Sequence, residues 1–506
     1  MEDVMAKPLI FVSSPCLPAA RAVPTIQRLG YRAAVVVPFK PDPSKNFRGE
    51  GESVWAQHAD SIFTLERPAD IGAIEEVMRI AVQGKAEIFH AMWGPNSEEP
   101  TLVEACASAG ILFCGSAAAV MQVAGHKPAT RNMALQAGVP ILQGTESITN
   151  FNPSAEFLER LGFPGRPLMV KGTNTGGGRM IYPVRTMEEL EKYMRQCRDA
   201  LEMGDASASS VFLEQMAENP QHIEAQGAMD RNGDIAILGL RVCSIQEMRA
   251  KRIEEVPRAT QIVVEKRKEI EGYAERILHY LAKNVGFGCV LTMEFLVDCH
   301  GNVYFLEINP RVQVEHRVTE FEYDGLDMIE LSILLSLGYP LKEILPSRRQ
   351  NRHVIEARVY VWFKDEFVDV PYVNFPFTPG VHVDCMLPGY VVSFLTPHIA
   401  NIVVQGESPE DAICRMQDYL DEVAIGGTTK EGLPIETNLW KLKAWMGDPD
   451  FRSGGYTTKF VEKFSSADLQ HAESRLRGEL FTRRWAQGRV DPAVSEVRYP
   501  DAVLEL

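Results

Sequence analysis

The chain has no long apolar run, no Cys-x-x-Cys pair and no excess of basic residues, and each absence removes a class of function. No apolar stretch approaches the roughly 20 residues needed to span a bilayer, so no membrane role is expected. The opening Met1–Pro8 carries Glu2, Asp3 and Lys7 where a secretory signal would have a basic block and then an apolar one. Nine cysteines, an odd number without metal-ligand spacing, fit neither a disulfide framework nor a zinc site and point to a reducing, cytoplasmic setting. A net charge of −16 argues against a general binder of nucleic acid or membrane surfaces. Internal repeats and low-complexity tracts are missing too. What remains is ordinary globular composition, 45% hydrophobic and 24% charged, in 506 residues, which is too long for one core and suggests about three packed domains.

The most informative stretch is Cys289–Glu320. Two apolar runs, Val290–Val297 and Val303–Ile308, flank a polar Asp298–Asn302 turn, the pattern of a β-hairpin. A turn centred between His300 and Gly301 places Glu294 opposite Glu307 and Thr292 opposite Asn309, with Arg311 and Gln313 following on the same side by alternation. Two carboxylates opposed in a half-buried sheet repel, and a cation between them resolves the conflict. Glu294, Glu307 and Asn309 offer only hard oxygens, which suits Mg²⁺ or Mn²⁺ arriving with a nucleotide's phosphates. Taken alone, the stretch also reads as a solvated edge hairpin.

From the N-terminus, Pro8–Ser14, Ala33–Pro38, Ala86–Met92 and Ile111–Gly115 read as strands, with helical character in Ala19–Leu29 and Pro100–Ala109. That alternation implies a parallel, doubly wound unit ending near Gly125. No Gly-x-Gly-x-x-Gly follows the first strand, so it carries no obvious dinucleotide site. His126–Gly138 is expected to be helical; a strand ending in Lys171 then meets Gly176, Gly177, Gly178 and Arg179, a flexible glycine turn whose N–H groups can approach phosphates. Thr186 and Glu189 form a capping box before a helix burying Leu190, Tyr193 and Cys197. Val211–Met216 is a strand carrying Glu214. His222–Met229 and Ile235–Leu240 form a hairpin around Asn232-Gly233, with His222, Glu224 and Gln226 on one face. Alone, that face reads as the wet side of a sheet, and the charged Glu247–Arg252 segment beside Glu254-Glu255 as a solvated run. Glu269–Leu281 is amphipathic, Leu326–Leu337 a buried helix, and His353–Phe363 an alternating strand. Ser408 caps a helix beginning at Pro409.

Together these residues resemble a known family. The run Asn309-Pro310-Arg311-Val312-Gln313-Val314-Glu315-His316, the glycine turn, the Glu214/His222/Glu224/Gln226 set, Glu254-Glu255-Val256-Pro257 and His353–Arg358 are similar to the ATP-grasp core of biotin carboxylase, over roughly residues 8–460. The resemblance implies a mixed α/β and α+β multidomain fold: a doubly wound pre-ATP-grasp domain at 1–125, an ATP-grasp domain at 126–344 with a glycine-loop lid about 143–216, a β-rich domain at 345–465 and a peripheral tail at 466–506. By the same resemblance Lys127, Lys171 and the Gly176–Gly178 loop would contact nucleotide phosphates, Glu214 and Met216 the adenine, His222 and Gln246 the ribose and phosphates, and Leu296 the ring face. Glu294, Glu307 and Asn309 would hold the metal. Lys251, Arg311, Gln313 and Val314 would hold bicarbonate, Glu315 would deprotonate it, and Arg358 would stabilise the biotin enolate.

The implied reaction is ATP- and bicarbonate-dependent carboxylation of biotin through carboxyphosphate. Because no Met-Lys-Met motif occurs, biotin is expected on a separate carrier working with a carboxyltransferase; a homodimer is the implied assembly. The chain departs from the family on the biotin side. Glu247, Met248 and Arg249 stand where two arginines and a histidine are usual; Leu395-Thr396-Pro397-His398 and Asn401 replace Tyr-Asp-x-Met and a following lysine. Thr175 and Met180 flank the glycines, Trp93 takes a tyrosine position, and Arg317 replaces proline. These departures keep two other readings open: an ATP-grasp carboxylase or ligase serving a small-molecule amine without biotin, and an inactive nucleotide-binding subunit.

Overall fold

The computed structural model describes residues 7–464 apart from 15–16, 38–53, 66–71, 95, 174–179, 204–208, 350–351, 363–366, 387–388, 393–396 and 429–434. The glycine turn Gly176–Gly178 with Thr175 and Arg179, the residues Leu395 and Thr396, and the tail 466–506 lie outside the described residues.

Near the N-terminus, Ser61–Thr64, Arg32–Val37, Leu9–Val12, Ile88–His90 and Leu112–Cys114 pair in that order, all parallel. Their strands are almost wholly apolar because helices cover both faces. Ile10, Val12 and Val35 meet helix Leu17–Arg28 on one side, while Leu9, Phe11 and Val36 meet helix Ile74–Gln83 on the other. The doubly wound expectation holds; the strand Ser61–Thr64 and helix Ile74–Gln83 were not anticipated.

A second unit is a three-stranded sheet with Leu168–Gly172 between Ile181–Val184 and Val211–Gln215. Helix Met187–Glu202 backs it, started by Thr186 Oγ1 accepting from Glu189 N at 3.2 Å. Leu190, Met194 and Cys197 are buried, while Tyr193 is half-buried and stacks on Tyr182.

The largest element is a nine-stranded antiparallel sheet. Its order is Val303–Asn309, Val290–Val297, Gln221–Met229, Ile235–Glu247, Ala250–Glu255, His353–Trp362, His398–Gly406 and Val381–Cys385, with Glu436–Thr437 also pairing to His353–Trp362. One ladder therefore crosses residue 344 without a break, joining the expected ATP-grasp and C-terminal segments through Ile253↔Ala357, Glu254↔Glu356 and Glu255↔Ile355. Helix Ile262–Asn284, longer than its amphipathic core, packs Ile270, Ile277 and Leu281 against Ile223, Leu291 and Met293. Helix Met328–Leu337 begins two residues later than expected because Asp327 caps it, and it stops at Gly338, whose φ of +95° suits glycine. The Glu247–Arg252 segment is solvated only at its turn, where Met248 and Arg249 are exposed: Ala250–Glu255 is an interior strand, with Arg252, Glu254 and Glu255 buried.

Candidate active site

The central hairpin pairs Glu294 with Glu307 and Thr292 with Asn309 as expected, but by a different route. Asp298 Oδ1 accepts from His300 N and Asn302 N at 2.9 Å each, tightening the turn so that Val297 faces Val303. Carried along the strand, that register would oppose Leu306 to Glu294. A bulge between Glu294 and Phe295 inserts Leu306 as the extra residue, and Glu307 slides into line.

The next strands extend the row: Glu294 faces Glu224, and Glu224 faces Arg241. Far from a wet side, Glu224, Gln226 and Arg241 are fully buried. Burial of Glu224 and Glu294, in line with the half-buried Glu307, demands positive charge. Arg241 supplies part of it, donating to Glu224 Oε2 at 3.0 and 2.8 Å, to Gln226 Oε1 at 2.9 Å and to Thr319 Oγ1 at 2.7 Å. Lys251 supplies the rest: its Nζ contacts Glu224, lies 3.1 Å from Glu294 Oε1 and 2.9 Å from Glu315 Oε1. Burial pulls the Lys251 ammonium down, yet Glu294 and Glu315 outweigh it and hold it above its ordinary value.

Glu315 is fully buried and clamped from its other side by Arg358, 2.9 Å from Oε2. Burial alone would raise its carboxyl; Lys251 and then Arg358 hold it well below the usual carboxylate range. It is a fixed anion at neutral pH. Glu294 behaves likewise: burial is outweighed by Lys251 and by His222, whose Nε2 lies 2.7 Å from Glu294 Oε2. Gln246 Nε2 donates to His222 Nδ1 at 2.7 Å, so the ring proton sits on Nε2 and points at Glu294.

Asn309 Nδ2 donates to Glu294 Oε1 at 2.9 Å, while its Oδ1 accepts from Arg311 at 3.2 Å. Arg311 also donates to Gln313 Oε1 at 2.8 Å and to Glu98 at 2.7 Å. Gln313 is buried, and among the described residues its Nε2 has no hydrogen-bond partner. Such an orphaned donor beside a guanidinium suits an anion.

Glu307 is the counterpart on the metal side. Among the described residues it has no hydrogen bond or ion pair, and burial together with Glu294 pushes its carboxyl up, with Lys127 only partly offsetting them. A divalent cation between Glu294, Glu307 and the Asn309 amide oxygen would turn that repulsion into attraction, so the donor set fits a hard metal.

At the three-stranded sheet, Glu214 is gripped by both Lys171 and Arg131, and both cations lie over the Phe212 ring. Lys127 opens the neighbouring helix with its ammonium lowered by burial; it feels Glu307, Lys171 and Glu214 and so links the two halves electrostatically. Met216 contributes a backbone contact to Pro167, and Leu296 lies opposite His222 in the ladder. Sequence reasoning missed Arg131, Arg241 and Glu98. The available signals were the i,i+4 spacing of Lys127 and Arg131 and one arginine in the apolar run Leu238–Cys243.

An antiparallel sheet lined with opposed carboxylates, lysines reaching across it, and a three-stranded unit set against it define an ATP-grasp ligase. Residues 126–344 match the family described as carbamoyl-phosphate synthase L chain, ATP binding domain, and residues 9–121 match the biotin carboxylase N-terminal domain. Among curated proteins the chain is similar to a biotin carboxylase of Halalkalibacterium halodurans, 31% identical over 457 residues, covering 88% of this chain and 94% of that one. It is also similar to the 2-oxoglutarate carboxylase small subunit of Hydrogenobacter thermophilus, 30% identical, covering 79% and 83%. Among solved structures, the biotin carboxylase domain dimer of that Hydrogenobacter carboxylase, in complex with MgADP, ADP and bicarbonate, superposes with a TM-score of 0.79 at 27% identity over 90% of this chain and 97% of that one. The chain belongs to the biotin carboxylase family.

Proposed function

We propose that this protein uses ATP to carboxylate biotin with bicarbonate, acting as the biotin carboxylase component of an acyl-CoA or related carboxylase. The observation that carries the reading is Glu315: a buried anion between Lys251 and Arg358, connected through Lys251, Glu294 and Asn309 to Arg311 and the Gln313 amide it holds.

Bicarbonate is a poor nucleophile until its proton leaves. In this proposal Arg311, Gln313 Nε2, the Val314 backbone and Lys251 hold the anion, and Glu315 takes its proton as general base. The resting clamp makes Glu315 a weak base; entry of the anion draws Lys251 onto substrate, and the Glu315 carboxyl then rises toward a useful pKa. The oxyanion attacks the γ-phosphorus, the bond to ADP breaks, and carboxyphosphate forms. Lys127 and Lys171 place positive charge on phosphate oxygens as negative charge shifts there. A Mg²⁺ or Mn²⁺ ion held by Glu294, Glu307 and Asn309 adds to that charge when bound. Carboxyphosphate hydrolyses in open water, and the full burial of Glu315, Glu224 and Arg241 keeps the floor of the site dry. Carboxyphosphate then breaks into CO₂ and inorganic phosphate, the phosphate takes the biotin N–H proton, and Arg358 stabilises the resulting enolate as its nitrogen bonds CO₂. The segments matched at 9–121 and 126–344 support the domain limits near 125 and 344. A biotin-bearing carrier, a carboxyltransferase and homodimeric assembly belong to the same proposal.

The test is ADP release from purified protein with Mg·ATP and bicarbonate, with and without free biotin, beside Glu315→Gln. Biotin stimulation that vanishes in Glu315→Gln is the expected result. Bicarbonate-dependent turnover indifferent to biotin would transfer the reading to another acceptor, and turnover retained by Glu315→Gln would remove Glu315 as the base.

A further inference from the structure

The two segments that depart from the family, Glu247–Arg249 and Pro397–Asn401, are about 150 residues apart in sequence and are linked in space through Arg252 and Tyr360. Glu247 accepts from Arg252 Nε at 3.2 Å and from Lys441 Nζ at 2.7 Å. So fixed, the Arg252 guanidinium lies 4.0 Å from the centre of the Tyr360 ring, a cation–π contact. His398 also packs on that ring, stacked with centroids 5.0 Å apart and planes 20° from parallel. His398 Nε2 meets Asn401 Oδ1 at 2.7 Å. An amide oxygen only accepts, so the imidazole proton sits on Nε2. Burial and then Arg358 hold His398 down at about 3, keeping that ring neutral and the bond intact across the working pH range.

Asn401 is where the series reaches the site. It lies opposite Arg358 in the sheet, and its Nδ2 donates to the Val314 carbonyl at 3.4 Å. The same carbonyl lies 3.1 Å from His316 Nδ1. Residues on either side of Glu315 are thus tied, one by Asn401 and the other through its own ring. Asn438 secures the strand that carries Arg358 and Tyr360, its Nδ2 donating to Arg358 O and its Oδ1 accepting from Tyr360 N, each at 2.8 Å.

We propose that Arg252, Tyr360, His398 and Asn401 form a positioning relay that fixes the Val314 carbonyl and with it the orientation of Glu315 against bicarbonate. These residues touch no reacting atom; they act through the backbone of residues 314–315. The relay rests on the proposed carboxylase reading, because bicarbonate is the ligand it orients. It also accounts for Glu247: a carboxylate there anchors Arg252 over Tyr360, which a cation in the same place would repel.

The test uses the full-length enzyme and two readouts. In steady-state kinetics, Asn401→Ala and His398→Ala are expected to raise KM for bicarbonate about three- to tenfold, the range for one lost buried hydrogen bond, and to leave KM for ATP within about twofold. His398→Gln keeps an N–H donor toward Asn401 Oδ1 and is expected to recover most of the loss. In hydrogen–deuterium exchange, which needs no turnover, peptides covering residues 311–318 should exchange faster in Asn401→Ala, while Leu9–Val12 stays unchanged. A rise in both KM values together, or unaltered exchange at 311–318, would overturn the relay. Wild-type enzyme without bicarbonate-dependent turnover would instead count against the carboxylase reading, with the exchange experiment still deciding the relay.

Discussion

Lys251→Met removes one ammonium and keeps the aliphatic stem, so its effect isolates charge. In the native protein that ammonium faces Glu224, Glu294 and Glu315, each nearly or wholly buried. After the change Glu224 still has Arg241 and Glu315 still has Arg358, leaving Glu294 with His222 as the group most exposed to the loss. Breaking one buried ion pair costs about 3–5 kcal/mol when the partner charge stays buried. The cost should depend on pH, and the sign follows from the two folded-state pKa directions. In the wild type, Glu294 and Glu315 are depressed, so their stabilisation is present above the unfolded carboxylate value and is lost only as pH falls through the depressed one. Between pH 5 and 8 they give a flat profile. In Lys251→Met, Glu294 would instead lie above its unfolded value, and folding would take up a proton. The deficit then shrinks as pH falls, by at most about 1.4 kcal/mol per unit between the raised value and roughly 4.3. Melting midpoints of both proteins at pH 5, 6, 7 and 8 are the assay. A wild-type-minus-variant difference largest at pH 8 and smallest at pH 5 is expected; a difference constant across the series would refute the charge argument and leave only lost packing.

Glu307→Gln removes the carboxylate that Glu294 repels. The expected outcome is a fold as stable as the wild type or more so, with the Mn²⁺ or Mg²⁺ concentration for half-maximal ADP release raised at least about tenfold, since an anionic ligand is gone. Arg131→Met frees Glu214 from one of its two cations. KM for ATP should rise by about tenfold with KM for bicarbonate little changed, because charged hydrogen bonds are worth about 1.5–3 kcal/mol and Glu214 is the residue proposed to meet the nucleotide.

Sequence periodicity was enough to find the hairpin, because alternation and a polar turn are local properties. The pairing of Glu294 with Glu307 was reached with a turn placed half a residue from its observed centre. The bulge at Leu306 made good the difference, and no local pattern announces a bulge of that kind. Burial of the charged segment around Lys251 was not legible locally for a similar reason. A strand rich in Lys, Arg and Glu reads as solvated until its neighbours are known, and here they are Ile235–Glu247 on one side and His353–Trp362, distant in sequence, on the other. The motif Asn309–His316 conveyed the family and the residues that gather around Glu315. It conveyed nothing about Arg131, Arg241 or Glu98, whose importance comes from which carboxylate each one faces. Ser61–Thr64 and Ile74–Gln83 escaped notice because the strand is short and only partly buried, while the helix lacks a side-chain cap.

The unbroken ladder across residue 344 has a consequence for how the chain can be divided. Ending the polypeptide after the matched ATP-binding segment would strip His353–Trp362 from Ala250–Glu255 and turn an interior strand into an open edge. That edge would present unpaired N–H and C=O groups together with Glu254, stripped of Arg358, and Arg252, stripped of the Tyr360 ring. Exposed edges of this kind template intermolecular pairing, and such a fragment would recruit copies of itself into aggregates. The catalytic floor and the C-terminal strands form one continuous plate, so neither segment can be cut away without opening the sheet beneath Glu315.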